Sequence, residues 1–283
     1  MKTNIKSKLS IFAAVAGMAA SEGTASANPR PLPFSYPYAT LAEGALETEL
    51  YTDVTALRVE ADPYNAGRGR LWEPGYQLQT EIEYGLTDRW ELGFYQVFEA
   101  TPRDGGTNGL AFDGLKFRAR TRLAEAGEWP VDVSLYLELE TLHDEVGLEE
   151  KLNLERRFGR ARVMSNLWVE QSLVRPFDGA SAGSVLAFII NPTLGVTYQL
   201  TPTFHPGIEY WGRGQIQPTG DTAQARNNTR VHHFVGPAIH LNFGKLWWSV
   251  GLYAHLNDSD KPQPGDLYGP VWFRTVLGLE LGG

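Results

Sequence analysis

The chain has 283 residues, of which 42% are hydrophobic, 12% aromatic and 20% charged, and its formal net charge is -8. It contains no Cys, which excludes a disulfide scaffold, a thiolate metal site and a Cys nucleophile. The excess of acidic residues argues against nucleic acid as a partner, because binding to a phosphate backbone needs a clustered basic face.

Residues 1–27 have the order of regions that is typical of a secretory signal peptide. Three lysines precede an apolar stretch at residues 9–20, and the segment ends in the small residues Ala25-Ser26-Ala27. The apolar stretch is too short to cross a bilayer as a helix, and no later window approaches the required length of about 20 apolar residues. These features predict a cleaved signal peptide over residues 1–27 and an exported mature chain that begins near Asn28.

Residues 28–43 form a proline-rich N-terminal segment, whose first ten residues read NPRPLPFSYP. Proline lacks a backbone N–H and breaks both helices and central strands. We therefore predict an extended periplasmic tail that lies outside the core.

Over residues 44–283 the hydrophobic pattern has a period of two, which is typical of strands with two different faces. About twelve strands are predicted, an even number of the kind that outer-membrane barrels use. Their approximate spans are residues 45–59, 75–84, 89–98, 112–123, 131–140, 149–158, 161–173, 186–200, 204–213, 232–243, 246–256 and 271–281. The apolar positions predicted to face lipid include Leu78, Ile82, Leu115, Leu135, Leu137, Leu252 and Leu277. The predicted fold class is an all-β, antiparallel transmembrane β-barrel behind a cleaved signal peptide.

The predicted connections alternate strictly between short turns and long, polar, Gly-rich loops, as periplasmic turns and extracellular loops do. Aromatic residues flank the short turns, as expected of an interfacial girdle; they are Tyr84, Trp90, Trp129, Phe158, Tyr198, Phe204, Phe243, Trp247 and Trp248. A soluble β-sandwich or a lipocalin would also alternate apolar and polar positions, but neither needs this asymmetry of its connections. The sequence therefore favours the bacterial outer membrane as the location and the lipid bilayer as a partner.

The segment Tyr84-Gly85-Leu86-Thr87-Asp88-Arg89-Trp90-Glu91-Leu92-Gly93 is similar to the first-hairpin pattern of a large group of Gram-negative outer-membrane proteins. It resembles in particular the family of MetA-pathway of phenol degradation barrels. Phe112-Asp113-Gly114 with Lys116-Phe117-Arg118, and Val235-Gly236-Pro237, resemble that group too. The resemblance covers most of the mature chain as a pattern. It implies an outer-membrane barrel of a kind that passes hydrophobic small molecules, and it implies no catalytic residues.

Charged residues on the polar strand faces form the most informative candidate site. Those predicted to line the lumen are Glu81, Glu83, Glu91, Lys116, Arg118, Arg120, Arg122, Glu138 and Glu140. Because acidic strands flank the basic one, Arg118 and Arg120 are expected to pair with Glu91 on one side and with Glu138 or Glu140 on the other. Two interpretations remain open: a salt-bridge network that holds the interior together, and a charged path that selects among solutes.

Three further patterns are interpreted as structural. Gly179-Ala180-Ser181-Ala182-Gly183 spells G-x-S-x-G, but no helical pattern follows it, so we interpret it as a loop. The histidines lack a tight cluster with carboxylates and are interpreted as lumen lining; they are His205, His232, His233, His240 and His255. Asn257-Asp258-Ser259-Asp260 offers oxygen ligands for Ca²⁺ but lacks the Gly and distal Glu of an EF-hand. We predict no catalytic, cofactor or metal residues and no enzymatic activity.

The predicted function is a narrow passive channel or uptake barrel for small hydrophobic or polar solutes. A barrel of about twelve strands lies between filled barrels of about eight and open porins of about sixteen or more, so we expect a narrow or partly plugged lumen. One alternative is a closed structural or ligand-binding barrel whose long loops carry a surface function. The other is a membrane esterase that uses Ser181.

Overall fold

The computed structural model describes residues 29–59, 71–100, 102–103, 106–107, 109–143, 145–174, 185–216, 231–257 and 269–282. The predicted signal peptide at residues 1–27, the G-x-S-x-G pattern at residues 179–183 and the loop residues 258–260 lie outside this set. No helix within the described ranges is long and apolar enough to cross a membrane.

Fourteen β-strands make up the regular structure of the described residues. They are β1 (Leu46–Val59), β2 (Leu71–Thr87), β3 (Trp90–Ala100), β4 (Pro102–Arg103), β5 (Gly106–Thr107), β6 (Ala111–Arg122), β7 (Asp132–Leu142), β8 (Glu145–Phe158), β9 (Ala161–Val174), β10 (Val185–Tyr198), β11 (Phe204–Ile216), β12 (Val231–Asn242), β13 (Leu246–His255) and β14 (Val271–Gly282). The sequence pattern places the starts of β2 and β8 later, because their first residues lie in polar stretches that look like loops.

Twelve of these strands close into one antiparallel barrel in which chain neighbours pair and β1 pairs with β14. The short strands β4 and β5 form a separate hairpin in the connection from β3 to β6. Closure leaves the barrel without a free strand edge. The predicted all-β antiparallel barrel of twelve strands is confirmed, and the soluble alternatives are excluded, since a sandwich keeps open edges and a lipocalin has about eight strands.

The barrel has an apolar outer surface and a polar inner one. On the outside, Ile82, Leu137 and Leu252 are 52%, 48% and 51% exposed. Leu135 and Leu277 are exposed there as well. The other two predicted lipid-facing residues, Leu78 and Leu115, lie half-buried. A surface of this kind is unfavourable in water and suits hydrocarbon, so the barrel is of the membrane-spanning type.

An aromatic girdle surrounds the barrel at its short-turn end. Its exposed members include Tyr84, Trp90, Trp129, Phe158, Tyr198, Phe243 and Trp248. Trp247 does not belong to the girdle, so that part of the prediction is wrong. It alternates with Trp248 along β13 and therefore points inward, where its Nε1–H donates to Glu47 Oε1 at 2.6 Å.

A charge on the outer face tests the assignment of the two faces. We expect Leu137→Arg to destabilise the barrel by about 2–4 kcal/mol, because the guanidinium would lie in hydrocarbon. Gln79→Arg, on the inward face of β2, is the matched control and is expected to cost less. Urea unfolding followed by heat-dependent gel mobility measures both, and equal losses would contradict the assignment.

The N-terminal segment lies inside the barrel, so the prediction that it lies outside the core is wrong. Leu32 and Leu41 are fully buried, and Phe34 is 3% exposed. The prolines do keep the segment out of the sheet, since it pairs with no strand, but the lumen offers it other hydrogen-bond partners. Gly44, with a φ of 78°, turns the chain from this segment into β1. Residues 29–43 are called the lumen segment below.

Candidate functional site

The lumen segment is held by side chains of the barrel wall that accept hydrogen bonds from its backbone. Glu209 of β11 is the central acceptor: the Ser35 N–H donates to it at 2.6 Å and the Phe34 N–H at 3.2 Å. The Tyr253 hydroxyl donates to the same carboxylate. A buried carboxylate is stable when several donors satisfy it, so Glu209 and the bend at residues 34–35 stabilise each other.

Further anchors follow the segment towards the short-turn end. Asn166 of β9 accepts the Tyr36 N–H at 2.7 Å and donates to the Tyr36 carbonyl oxygen at 3.0 Å. The Tyr38 N–H donates to Glu155 at 3.3 Å, and the Leu41 N–H donates to Glu91 Oε2 at 2.7 Å. The backbone of the segment is thus bonded to wall side chains from the middle of the lumen down to its short-turn end.

Aromatic rings pack the tip of the lumen segment into the wall. Phe34 stacks on Trp211, with ring centroids 4.4 Å apart, and meets Tyr253 edge-on at 5.1 Å. These three rings form one buried cluster with Phe234. Leu32 packs in a second buried cluster, with Met164 and Ala238. The tip therefore fills the middle of the lumen with apolar surface.

Tyr36 lies between two cations. The Arg30 guanidinium carbon is 3.4 Å from the centre of the Tyr36 ring, and Lys151 Nζ is 3.9 Å from it. Lys151 Nζ also lies over the rings of Tyr136 and Trp168, at 4.1 and 3.9 Å. Cation–π contacts are stronger when they are shielded from water, so this stack ties the segment to β7, β8 and β9.

Arg118 and Arg120 point inward, and their partners lie mostly on one side. Arg118 contacts Glu81, Glu83 and Glu91, each at 2.7 Å, and Arg120 contacts Glu91 at 2.8 Å. Both arginines are buried.

The expected pairing of these arginines with Glu138 or Glu140 is not observed. Those two carboxylates pair with Lys116 instead, whose Nζ lies 3.2 Å from Glu138 and 2.9 Å from Glu140. The reason lies in Gly93, which faces Arg118 across the strand pair. A Cβ at Gly93 would lie 2.5 Å from Arg118 Nε. The missing side chain lets the guanidinium cross β3 and reach the acids of β2.

Arg122 departs from the other predicted lumen residues. It is the last residue of β6, and it pairs with Glu125 in the following turn and donates to the Asp88 carbonyl oxygen at 2.8 Å. It therefore lies at the rim of the short-turn end.

The barrel interior holds more acidic than basic side chains. Among the buried charged residues that the structure describes, fourteen are acidic and five are basic.

The described histidines do not gather into a metal site with carboxylates. His232 and His255 contact each other at 3.1 Å, and His240 Nδ1 lies 2.9 Å from Ser249 Oγ. The last pair resembles a nucleophile and its base, but Ser249 is fully buried and its hydroxyl donates to the Arg30 carbonyl oxygen of the lumen segment. This arrangement serves as another anchor of the segment.

Several inward side chains of the barrel wall have polar atoms without a hydrogen-bond partner among the described residues. They include Asn191, at both amide atoms, and the indole N–H groups of Trp168 and Trp211. Asn191 faces Trp168 across the β9–β10 pair, and Phe34 covers Trp211. A buried polar group without a partner costs about 1–3 kcal/mol, so the wall next to the segment is unsatisfied while the segment is in place.

The main feature that sequence reasoning missed is the lumen segment with its acceptors Glu209, Asn166 and Glu155. A signal was present in the stretch Leu32-Pro33-Phe34-Ser35-Tyr36-Pro37-Tyr38, where a large apolar residue recurs at every second position. Such a pattern is unusual for a solvated tail, because it exposes several rings to water.

A closed antiparallel barrel with an apolar outside, an aromatic girdle and a polar, filled inside defines a bacterial outer-membrane protein.

No protein-family model matches the sequence, and no curated protein matches it either. Among solved structures, the COG4313 outer membrane channel from Pseudomonas putida F1 is similar, with a TM-score of 0.62 and 13% identity over 86% of this chain and 98% of that chain. LpxR from Salmonella typhimurium is matched more weakly, with a TM-score of 0.44 and 8% identity over 82% of this chain and 99% of that chain. The first of these likenesses supports the outer-membrane barrel fold.

Proposed function

We propose that the protein is a narrow outer-membrane channel or uptake barrel for small solutes, closed in this conformation by its lumen segment. The observation that carries this proposal is the way in which the segment is held. It contributes no strand to the sheet, and its backbone is bonded to side chains such as Glu209 and Asn166. Water can replace such bonds one at a time, whereas withdrawing a strand would open the whole barrel.

The fold likeness to the COG4313 channel supports the channel function over a purely structural role. Together with the hairpin pattern at residues 84–93, it also supports membership of the MetA-pathway of phenol degradation family of barrels. We do not propose an enzymatic activity.

Departure of the segment would change the lining of the lumen in a way that suits a solute path. The amide of Asn191 and the indole N–H groups of Trp168 and Trp211 would then become free to bond to water or to a polar solute. The excess of buried acids over bases makes the path negative, so we expect a weak preference for cations.

Single-channel recording of the full chain and its Glu209→Ala variant tests the proposal. Removing the carboxylate deprives the bend at Phe34 and Ser35 of its acceptors, so we expect the open fraction to rise at least tenfold over the wild type. Glu280→Ala is the matched control, since Glu280 is also buried in the lumen but faces Glu47 of β1. Its open fraction is expected to stay near that of the wild type.

The same recordings distinguish the alternatives. A closed structural or ligand-binding barrel predicts no current steps from the wild type or from Glu209→Ala, and that result would overturn the channel proposal. A reversal potential in a KCl gradient that indicates anion selectivity would overturn the expected cation preference.

A further inference from the structure

An acidic cluster lies in the lumen, nearer to the long-loop end than the lumen segment. It consists of Glu140 of β7, Glu145 of β8 and Glu170 of β9, and one carboxylate oxygen from each lies within 4.8 Å of the others. The strand register brings them together, because Glu140 faces Gly147 across one pair and Glu170 faces Glu149 across the next. Glu145 is the first residue of β8, which puts the cluster close to the mouth.

Among the described residues, the cations around this cluster do not balance its charge. Lys116 lies 2.9 Å from Glu140 Oε2, and Arg213 lies 3.6 Å from Glu170. Two more acids lie nearby: Glu138 is 3.2 Å from Lys116 Nζ, and Glu149 is 2.5 Å from Lys151 Nζ. These contacts join four carboxylates to three cationic side chains, and Glu145, which makes no ion pair with a described residue, is a fifth carboxylate beside them. Carboxylates this close repel each other strongly in a shielded site, and a doubly charged cation would offset the difference.

One oxygen of the cluster accepts no hydrogen bond from an N–H or O–H group of the described residues. Glu140 is 3% exposed, and its Oε1 has no such donor, although its carboxylate lies against that of Glu145. This oxygen lies directly over Gly147, where a Cβ would collide with it. Gly147 stands between Glu145 and Glu149 on the inward face of β8 and opposite Ser172 of β9. This oxygen therefore lies on the inward side of β8 between Glu145 and Glu149, where the absence of a side chain at Gly147 makes room for it.

We propose that Glu140, Glu145 and Glu170 form a binding site for a divalent cation, with Ca²⁺ as the ion that fits best. The donors are all oxygen, and Ca²⁺ takes 6–8 oxygen ligands in flexible geometry. The Ser172 hydroxyl, which bonds to Glu145, adds a further oxygen, and water would complete the shell. Zn²⁺ and copper prefer nitrogen or sulfur donors. The bound ion would join β7, β8 and β9 at the mouth, whether or not the barrel conducts.

Terbium luminescence tests the site directly. Tb³⁺ is a probe for Ca²⁺ sites that emits when a nearby indole transfers energy to it, and Trp168 lies two residues before Glu170 on the same inward face of β9. We expect the EDTA-treated, detergent-solubilised full chain to give saturable emission. Added Ca²⁺ should displace it at about 10⁻⁴–10⁻³ M, the range of weak extracellular Ca²⁺ sites. Trp168→Phe should reduce the emission while Ca²⁺ still raises the melting temperature.

Variants of the cluster decide the outcome. Glu145→Gln and Glu170→Gln keep the side-chain shape, and each is expected to weaken displacement by Ca²⁺ at least tenfold and to remove the Ca²⁺-dependent rise in melting temperature. Glu280→Gln, a lumen acid outside the cluster, is expected to behave as the wild type. If a Gln variant does not fold, Glu145→Asp keeps the charge and is expected to weaken binding less. Wild-type protein without Ca²⁺-displaceable emission, or Gln variants that retain it, would overturn the site.

Discussion

Cysteines placed at positions 35 and 193 are expected to lock the barrel closed until a reductant is added. The hydroxyl oxygens of Ser35 and Thr193 lie 2.9 Å apart, which brings their β-carbons near the separation of about 3.5–4.5 Å that a disulfide needs. The chain contains no Cys of its own, so no other pairing competes. The bond would tie the lumen segment covalently to β10 and prevent it from leaving.

The lock is measured by single-channel recording of the Ser35→Cys/Thr193→Cys protein, made in the Glu209→Ala background so that the open fraction is high. The oxidised protein is expected to show no current steps, and dithiothreitol is expected to restore them. Each single-cysteine variant controls for the substitution itself. Equal conductance of the oxidised and reduced forms, with the crosslink verified by mass spectrometry, would mean that solutes bypass the segment.

Arg118→Met is expected to destabilise the barrel by about 3–5 kcal/mol, the usual cost of removing one member of a buried ion pair. The Arg118 side chain is fully buried and lies 2.7 Å from each of three carboxylates, those of Glu81, Glu83 and Glu91. Without the guanidinium, these acids repel each other in a site that water does not reach. Urea unfolding of the detergent-solubilised protein measures the loss.

Two variants complete the test of Arg118. Arg122→Met removes a rim arginine whose partner Glu125 is 45% exposed, and it is expected to cost less than Arg118→Met, because an ion pair near the surface is worth only about 0–1 kcal/mol. Glu83→Gln added to Arg118→Met is expected to restore part of the stability, because it removes one of the unpaired charges. If Arg118→Met proved as stable as Arg122→Met, the network would have no structural role.

Arg118→Glu should add to the cation preference of the conducting form.

The residues around Arg118 mark where prediction of the site from sequence ends. The alternation of side chains along β6 is sufficient to turn Arg118 and Arg120 inward, since Phe117 and Ala119 occupy the other face. The choice of partner depends on a different strand, because Arg118 reaches β2 only across the gap left by Gly93. Lys116, with its own acids on β7, then takes the carboxylates that the arginines were expected to use. The spacing of residues within one strand does not show how far a side chain will extend across a neighbouring strand.

The sequence by itself determined the parts of this protein that depend on local periodicity. Alternation of period two specifies which residues are strands and which face meets lipid. The contrast of short and long connections indicates an up-and-down antiparallel order, although the long loop predicted at residues 141–148 is wrong, since only residues 143–144 join β7 to β8. Neither depends on which distant residues meet. Only the tertiary structure decided that the lumen segment enters the barrel. Its backbone N–H groups find acceptors in Glu209, Asn166 and Glu155, side chains from three strands that converge only after the barrel has closed.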